Sequence, residues 1–212
     1  MRKSTIQFSI INFLSVLIFA SCATHKIVKD YTSVSSKDTI FNNPYFANPA
    51  IDYVYKTNIT VYGNELTGIF IAKKINDTTH RVVFTTEFGN KLFDFEIAEN
   101  DFKVNSIVDD LNRKIIINTL KSDFRLLLRK QFSVNEQFEN ETDKIFYAPE
   151  GKRYNYLFTS KADNKLYKIV HSSKTKQKLD ISFTSENNAV ASRIVITHQN
   201  IKLRIELNFL TP

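Results

Sequence analysis

The segment SIVDDLNRKIIINTLKSDFRLLLRK, residues 106–130, is the one long stretch of the chain with helical periodicity. Its apolar residues recur every three or four positions, which places them on one face of an α-helix. Asn105 or Ser106 can cap the first turn, where two aspartates suit the positive end of the helix dipole. We therefore predict a single long helix over about 107–129. Its apolar residues are Val108, Leu111, Ile115, Leu120, Phe124, Leu127 and Leu128.

On both sides of this helix the hydrophobic period changes to two residues, which indicates β-strands. In IKLRIELNF, residues 201–209, apolar and polar side chains alternate without a break. Ten or eleven such segments occur, separated by turn signals such as Asp163-Asn164. By residue number they are about 51–61, 66–75, 80–87, 91–98, 103–104, 144–148, 153–159, 165–172, 177–185, 189–198 and 201–210.

One apolar face on each strand means that one face of a single large antiparallel sheet is buried. A helix about 10 Å wide cannot cover that whole face. The sheet must therefore curl on itself, with the helix in or across its concave side. The predicted fold is mainly β: a curled antiparallel sheet of roughly ten or eleven strands, forming an unclosed β-barrel, with the long helix as a lid over the concave apolar face.

The space inside such a half-barrel is either packed or a ligand cavity. Its lining would be rich in Phe, Tyr, Ile and Leu, with no obvious buried charge. We take the lining from the apolar faces of the strands and the helix. The predicted lining residues are Tyr53, Tyr55, Ile59, Phe93, Phe95, Leu111, Ile115, Phe124, Tyr154, Tyr156, Phe158, Ile181, Phe183, Leu203 and Ile205.

The N-terminal segment MRKSTIQFSIINFLSVLIFASC, residues 1–22, has the parts of a secretory signal. Arg2 and Lys3 precede an apolar stretch that is shorter than the ~18 residues of a membrane span. A retained anchor helix is the less favoured alternative. The small residues before Cys22, the only cysteine, resemble the bacterial lipobox, in which the thiol is acylated and becomes the first mature residue.

The lipobox resemblance implies an organisation into three parts. Residues 1–21 would be a lipoprotein signal peptide, 22–50 a lipidated N-terminus and tether, and 51–212 the half-barrel domain. Acylated Cys22 would anchor the chain in membrane lipid. The next residue, Ala23, is not the Asp that marks inner-membrane retention, so we expect a lipid-anchored protein on the periplasmic face of a bacterial outer membrane.

No group of residues in the sequence fits a catalytic or metal site. The histidines, His25, His80, His171 and His198, lack metal-ligand spacing. Neither a glycine-rich phosphate loop nor a G-x-S-x-G motif occurs. Asp94 lies on the polar face of its strand, where a carboxylate is ordinary. We therefore predict no enzymatic activity, no metal and no cofactor. The net charge of +7 is scattered along the chain, so we expect no nucleic-acid partner.

The segment FTTEFGNKLFDF, residues 84–95, predicts a hairpin with Phe88 and Gly89 in its turn. Hairpin tips usually carry Asn, Asp, Gly or Ser rather than an aromatic residue. Two interpretations are open at this point. Phe88 either folds back onto the sheet, or it is an exposed tip that contacts an apolar surface.

The order of parts resembles the LolA/LolB family of lipoprotein-localisation proteins. The local match is RVVFTTEFGN, residues 81–90, with Thr67-Gly68 and the helix end Leu126-Leu127-Leu128 in similar places. The resemblance implies an apolar cavity that holds the acyl chains of transiting lipoproteins, and a periplasmic carrier protein as a partner. It also implies that Phe88 and Gly89 form a membrane-contacting hairpin tip.

These observations support a first hypothesis of an outer-membrane-anchored lipoprotein that binds acyl chains of lipids or lipoproteins and acts in lipoprotein localisation. The alternative is a structural or interaction lipoprotein of an envelope assembly that uses the same barrel as a packed scaffold. A hydrolase acting on envelope glycans or lipids is disfavoured, because no acid, base or nucleophile set can be assembled.

Overall fold

The computed structural model describes residues 26–35, 39–174 and 176–211. The chain separates into two compact units, Met1–Tyr31 and Thr32–Pro212. In the first unit the structure describes a 3₁₀ turn at Lys26–Val28. The predicted signal peptide and the predicted acylation site, Cys22, lie outside the described residues.

The second unit is dominated by β-strands, of which the described residues contain fifteen. Thirteen form one antiparallel sheet in the order β1-β9-β10-β11-β12-β13-β14-β15-β3-β4-β5-β6-β7, and β2 pairs with β8 in a separate ribbon. The sheet is not closed into a barrel. The strands are β1 (Thr32–Val34), β2 (Ile40–Asn42), β3 (Asp52–Val61), β4 (Asn64–Lys74), β5 (Thr79–Thr85), β6 (Lys91–Ala98), β7 (Phe102–Ile107), β8 (Gln131–Ser133), β9 (Glu136–Glu139), β10 (Asp143–Glu150), β11 (Arg153–Ser160), β12 (Leu166–Ser173), β13 (Gln177–Thr184), β14 (Arg193–His198) and β15 (Leu203–Phe209).

The predicted fold class is confirmed: the protein is mainly β, with one large unclosed antiparallel sheet and one helix in the described part. The eleven longer strands, β3–β7 and β10–β15, correspond to the segments read from the alternation. The sequence pattern did not reveal β1, β2, β8 and β9. Each of these has only three or four residues, which is too short for a two-residue period to stand out.

Helix α1, Lys114–Leu128, packs against the apolar face of the sheet. Leu120, Phe124 and Leu127 are buried. The ring of Phe124 lies 5.2 Å from that of Phe70 and 6.0 Å from that of Phe93, measured between centroids. In the described residues, no helix has the length and apolar character needed to cross a membrane.

The start of the helix differs from the prediction. The chain remains in β7 as far as Ile107, and Asp109–Leu111 form a 3₁₀ turn before α1 begins at Lys114. Neither Asn105 nor Ser106 caps the helix. Asn105 instead donates hydrogen bonds to two carboxylates of β6. Pairing of β7 with β6 has therefore prevailed over the local capping signal.

The segment 43–50, which the sequence pattern assigns to the tether, contributes to the core. Tyr45 and Phe46 are both buried. The Tyr45 hydroxyl donates a hydrogen bond of 2.7 Å to the carbonyl oxygen of Leu166, at the start of β12. His80 Nε2, near the start of β5, donates one of 2.9 Å to the carbonyl oxygen of Phe46. The segment thus runs past the strand ends on one side of the sheet, where these two hydrogen bonds fix it to β12 and β5.

The compact unit accordingly begins at Thr32. Two strand pairings fix the first part of this unit: β1 pairs with β9, and β2 pairs with β8. Burial of the large aromatic side chains at positions 45 and 46 favours this arrangement over a solvated linker.

Candidate functional site

The strand ends on one side of the sheet, here called the turn edge, are joined by the turns 62–63, 86–90, 151–152 and 199–202. The strand register brings these turns to the same edge, since each follows a strand that ends there and precedes an antiparallel strand that starts there. The segment 43–50 lies at the opposite edge. The two edges of the half-barrel are therefore built differently.

A cavity of about 750 Å³ lies between α1 and the turn-edge ends of the strands. Its volume falls within the usual range for small-molecule sites, about 300–1,000 Å³. The sheet contributes apolar side chains such as Ile59, Phe84 and Leu203, and the helix contributes Ile116 and Leu120. Such walls favour an apolar ligand, because binding removes apolar surface from water.

The cavity brings together five of the predicted lining residues, Ile59, Phe93, Leu111, Ile115 and Leu203. Ile115 also reaches solvent, with 72% of its surface exposed. These residues lie at the turn-edge ends of strands or at the start of the helix. They line the part of the concave side that neighbouring side chains leave unfilled.

Seven predicted lining residues belong to the packed core instead. The ring of Phe46 lies 4.9 Å from that of Tyr53 and 6.0 Å from that of Tyr55, and the ring of Tyr45 stacks 4.7 Å from that of Phe183. Side chains from segment 43–50 and α1 thus occupy this part of the concavity. The core residues are Tyr53, Tyr55, Phe95, Phe124, Ile181, Phe183 and Ile205.

Tyr154, Tyr156 and Phe158 do not line the cavity, because they lie on the other face of the sheet. Their neighbour Leu157 packs in the core, and adjacent residues of a strand point to opposite faces. Both faces of β11 are buried, and its aromatic residues lie on the outer one, so the alternation pointed to the wrong face. Tyr147 on β10 contacts the rings of Tyr154 and Tyr156 on this outer face.

The cavity wall also contains polar groups that the sequence pattern did not reveal. His198 Nε2 donates a hydrogen bond of 2.8 Å to Asp123 Oδ2, and both side chains line the cavity. Burial raises the pKa of the Asp123 carboxyl. The available signal was the position of Asp123, which lies three residues after Leu120 and next to Phe124 on the apolar face of the helix.

A second histidine in the wall, His171, is held by a residue of β11. Its Nδ1 donates a hydrogen bond of 2.7 Å to Asn155 Oδ1. Burial, and then the nearby charge of Arg153, lower the pKa of His171 to about 4. The imidazole is therefore neutral at pH 7. Among the described residues, no group of three or more His, Cys, Asp or Glu side chains is placed to hold a metal ion.

The hairpin tip between β5 and β6 holds Phe88 in solvent, with 94% of its surface exposed. The Thr86 N–H donates to the Asn90 carbonyl oxygen at 2.9 Å, and the Gly89 N–H donates to the Thr86 carbonyl oxygen at 3.0 Å. Gly89 has a φ of +85°, which suits a residue without a side chain. The interpretation in which Phe88 folds back onto the sheet does not hold.

Two further apolar side chains are exposed at the same edge. Tyr62, in the β3–β4 turn, is 66% exposed and lines the cavity. Ile115 follows the end of β7 by a short connection. Together with Phe88 they are the three most exposed large hydrophobic residues of the described chain. Exposed apolar surface in a soluble domain commonly marks an interaction site.

The fold is similar to that of several solved structures. A LolA superfamily protein from Nitrosomonas europaea superposes with a TM-score of 0.51 at 10% identity, over 78% of this chain and 87% of that chain. A DUF1329 family protein from Desulfovibrio piger gives 0.43 at 8% identity, over 76% and 84%. A putative outer membrane lipoprotein-sorting protein domain from Vibrio parahaemolyticus gives 0.44 at 9% identity, over 76% and 83%.

No family model matches the chain, and no curated protein sequence matches it. The similarity to the Nitrosomonas protein establishes a LolA-like fold.

Proposed function

We propose that this protein binds acyl chains of lipids or of transiting lipoproteins in the cavity beneath α1. The observation that carries the proposal is the apolar cavity of about 750 Å³ at the turn edge, left open between the helix and the sheet. The LolA-like fold supports it, since the resemblance of the sequence to the LolA/LolB family implies an acyl-chain cavity of this kind. The cavity disfavours the alternative of a fully packed scaffold.

Burial of hydrocarbon supplies the driving force for such binding. Each methylene group removed from water contributes about 0.8 kcal/mol, so even part of an acyl chain gives useful affinity. No covalent step is needed. The chain enters and leaves by exchange with another apolar environment, and α1 excludes water while it is bound.

The setting that we propose is the periplasmic face of a bacterial outer membrane. Acylation of Cys22 would supply a lipid anchor, and the adjacent Ala23 is consistent with outer-membrane sorting. A LolB-like role would follow, in which a periplasmic carrier protein delivers acylated cargo to this cavity. The anchor, the sorting and the carrier are parts of this proposal.

The turn edge would face the lipid surface in this arrangement. Phe88 and Gly89 form the tip that makes first contact, and Tyr62 and Ile115 lie at the edge where the cavity is found. Insertion of an aromatic side chain at the bilayer interface is favourable because its ring is removed from water. An acyl chain could then pass between bilayer and cavity over a short path.

Titration with a fluorescent fatty acid tests the proposal. We expect saturable binding to the purified protein and displacement by unlabelled fatty acid. Leu111→Trp should weaken binding about tenfold or more, because the larger side chain occupies cavity space. Val104→Trp is the matched control, since Val104 is partly exposed on β7 and does not line the cavity. Absence of binding, or equal binding by both variants, would refute an acyl site in this cavity.

A further inference from the structure

Three cationic side chains line the cavity: Lys114, Arg153 and Lys178. They come from the first residue of α1, the first residue of β11 and the second residue of β13. Each of these elements starts at the turn edge. The cationic groups therefore lie at the turn-edge end of the cavity.

None of the three cations has a carboxylate within ion-pair distance in the described part of the chain. Many other cations of the sheet are paired, as in Arg129–Glu150 at 2.7 Å. The one carboxylate in the cavity wall belongs to Asp123, which already accepts a hydrogen bond from His198. The wall thus has an excess of positive charge that the carboxylates of the described residues do not pair.

The segments that connect the strands also carry more positive charge at the turn edge than at the opposite edge. Segments at the turn edge carry five basic and three acidic residues, whereas those at the opposite edge carry four basic and six acidic residues. At the turn edge these are Arg113, Lys152, Lys174, Lys176 and Lys202 against Glu87, Asp109 and Asp110. At the opposite edge they are Arg129, Lys130, Lys161 and Lys165 against Asp77, Glu99, Asp101, Glu141, Asp163 and Glu186. This distribution attracts anions to the cavity end.

We propose that the ligand of the cavity is an acyl chain with an anionic head, either a carboxylate or a phosphate. Lys114, Arg153 and Lys178 bind the head at the turn edge, and the chain lies beneath α1. This inference rests on the proposed function and adds a head-group preference to it. Charge-assisted hydrogen bonds are stronger than neutral ones, and the guanidinium of Arg153 can hold a carboxylate or phosphate with two parallel bonds. Neutral and cationic amphiphiles gain neither interaction.

Displacement of the uncharged dye Nile red from the purified protein measures the preference without a charged probe. Three competitors share one chain length and differ only in the head: laurate, dodecyl phosphate and dodecanol. We expect the two anions to displace the dye at roughly tenfold lower concentration than dodecanol, as one or two charge-assisted hydrogen bonds predict. Equal displacement by all three would overturn the head-group inference while leaving the acyl site intact.

The double variant Arg153→Gln/Lys178→Gln should remove the advantage of the anions and leave displacement by dodecanol unchanged. The matched control is Lys152→Gln/Lys176→Gln, which removes the same charge from exposed turn-edge residues outside the cavity. An equal loss in both variants would mean that the general field of the edge acts, and not a bound head. Failure of Nile red and of every competitor to bind would refute the proposed function itself.

Calorimetric titration with inorganic phosphate tests whether a free anion, without a chain, is the true ligand. We expect inorganic phosphate to bind far more weakly than dodecyl phosphate, since it gains nothing from the apolar walls. Comparable affinities would overturn the lipid assignment. The comparison of laurate with dodecyl phosphate then decides between a fatty acid and a phospholipid head as the source of the anion.

Discussion

At the scale of single residues, Asp94 is the clearest departure from the sequence pattern. Its place on the polar face of β6 suggested an ordinary solvated carboxylate, yet its side chain is only 2% exposed. Arg81 binds it through Nε at 3.0 Å and Nη2 at 2.7 Å, and Lys91 Nζ lies 2.9 Å away. These hydrogen bonds, with Asn105 as a further donor, hold the pKa of the Asp94 carboxyl well below its usual range.

A lowered pKa in the folded state means that the folded protein binds fewer protons than the unfolded chain in acid. Asp94 therefore contributes stability that is fully present above the ordinary carboxyl pKa of about 3.9, and this contribution is lost progressively as the pH falls from there towards the lower pKa of the folded state. We expect Asp94→Asn to lower the free energy of unfolding at pH 7 by about 2 kcal/mol. Urea titrations should show the difference shrinking towards pH 3. A constant difference across that range would contradict this account.

Phe88 gives the opposite case, a residue whose change should affect binding and not folding. Because it is 94% exposed, Phe88→Glu should change the free energy of unfolding by less than about 0.5 kcal/mol. Co-sedimentation of the chain from Ala23 onward with phospholipid vesicles should fall several-fold. Phe88→Leu, which keeps an apolar tip, is the control and should retain most of the binding. Equal sedimentation of both variants would show that the tip does not contact lipid.

At the scale of elements, the close pairing of β4 with β5 depends on Gly68. A Cβ atom at this position would overlap the Thr85 carbonyl oxygen, where the register of β5 with β6 shifts, and would lie 3.0 Å from the Phe84 ring. Because the first obstacle is a backbone atom, little room is left for relief. We expect Gly68→Ala to destabilise the protein by roughly 2 kcal/mol or more, measured by thermal unfolding. Thr67→Ala, at the exposed neighbouring position, should have little effect.

The segment before β3 is the second test at this scale. A chain that begins at Thr32 keeps β1, β2 and the aromatic side chains of positions 45 and 46, and we expect it to unfold cooperatively. A chain that begins at Ile51 lacks them and exposes the apolar surface they cover. It should be insoluble, or should lose its cooperative transition in circular dichroism. Equal stability of the two chains would show that the segment is a dispensable tether.

Much of the element pattern was readable from the sequence, for a definite reason. Long antiparallel strands that bury one face alternate visibly, as β15 does, and the helical period of 114–128 stands out between them. Strands of three residues carry no such signal. In β11 both faces are buried, so Tyr156 and Leu157 could not be assigned to a face without knowing the neighbouring strands.

At the scale of the whole molecule, the cavity exists because different parts of the concavity are filled differently. Segment 43–50 and the second half of α1 pack against one part of the sheet, and the first half of α1 leaves space at the turn edge. A list of inward-facing residues cannot reveal this division. It depends on how far along the sheet the helix begins, and on the aromatic side chains that the N-terminal segment brings back into the core.

The assembly of the sheet also decides which polar and charged side chains reach the cavity wall. Polar wall residues such as Asp123, Arg153 and His198 come from separate elements, and only the register of the sheet brings them to one cavity. Sequence spacing gives no sign of that meeting. The proposed acyl site and the cationic side chains that line the same cavity therefore depend on the assembled half-barrel, and the proposed ligand should contact both.

Photo-crosslinking with a diazirine-bearing fatty acid tests the central claim most directly. After irradiation and proteolysis, mass spectrometry locates the labelled residues. We predict labels on the segment from Leu111 to Leu120 and on the β3–β4 hairpin between Ile59 and Leu66, which together enclose the cavity. Labels confined to the outer face of β11, at Tyr154, Tyr156 and Phe158, would contradict an acyl-chain site beneath the helix.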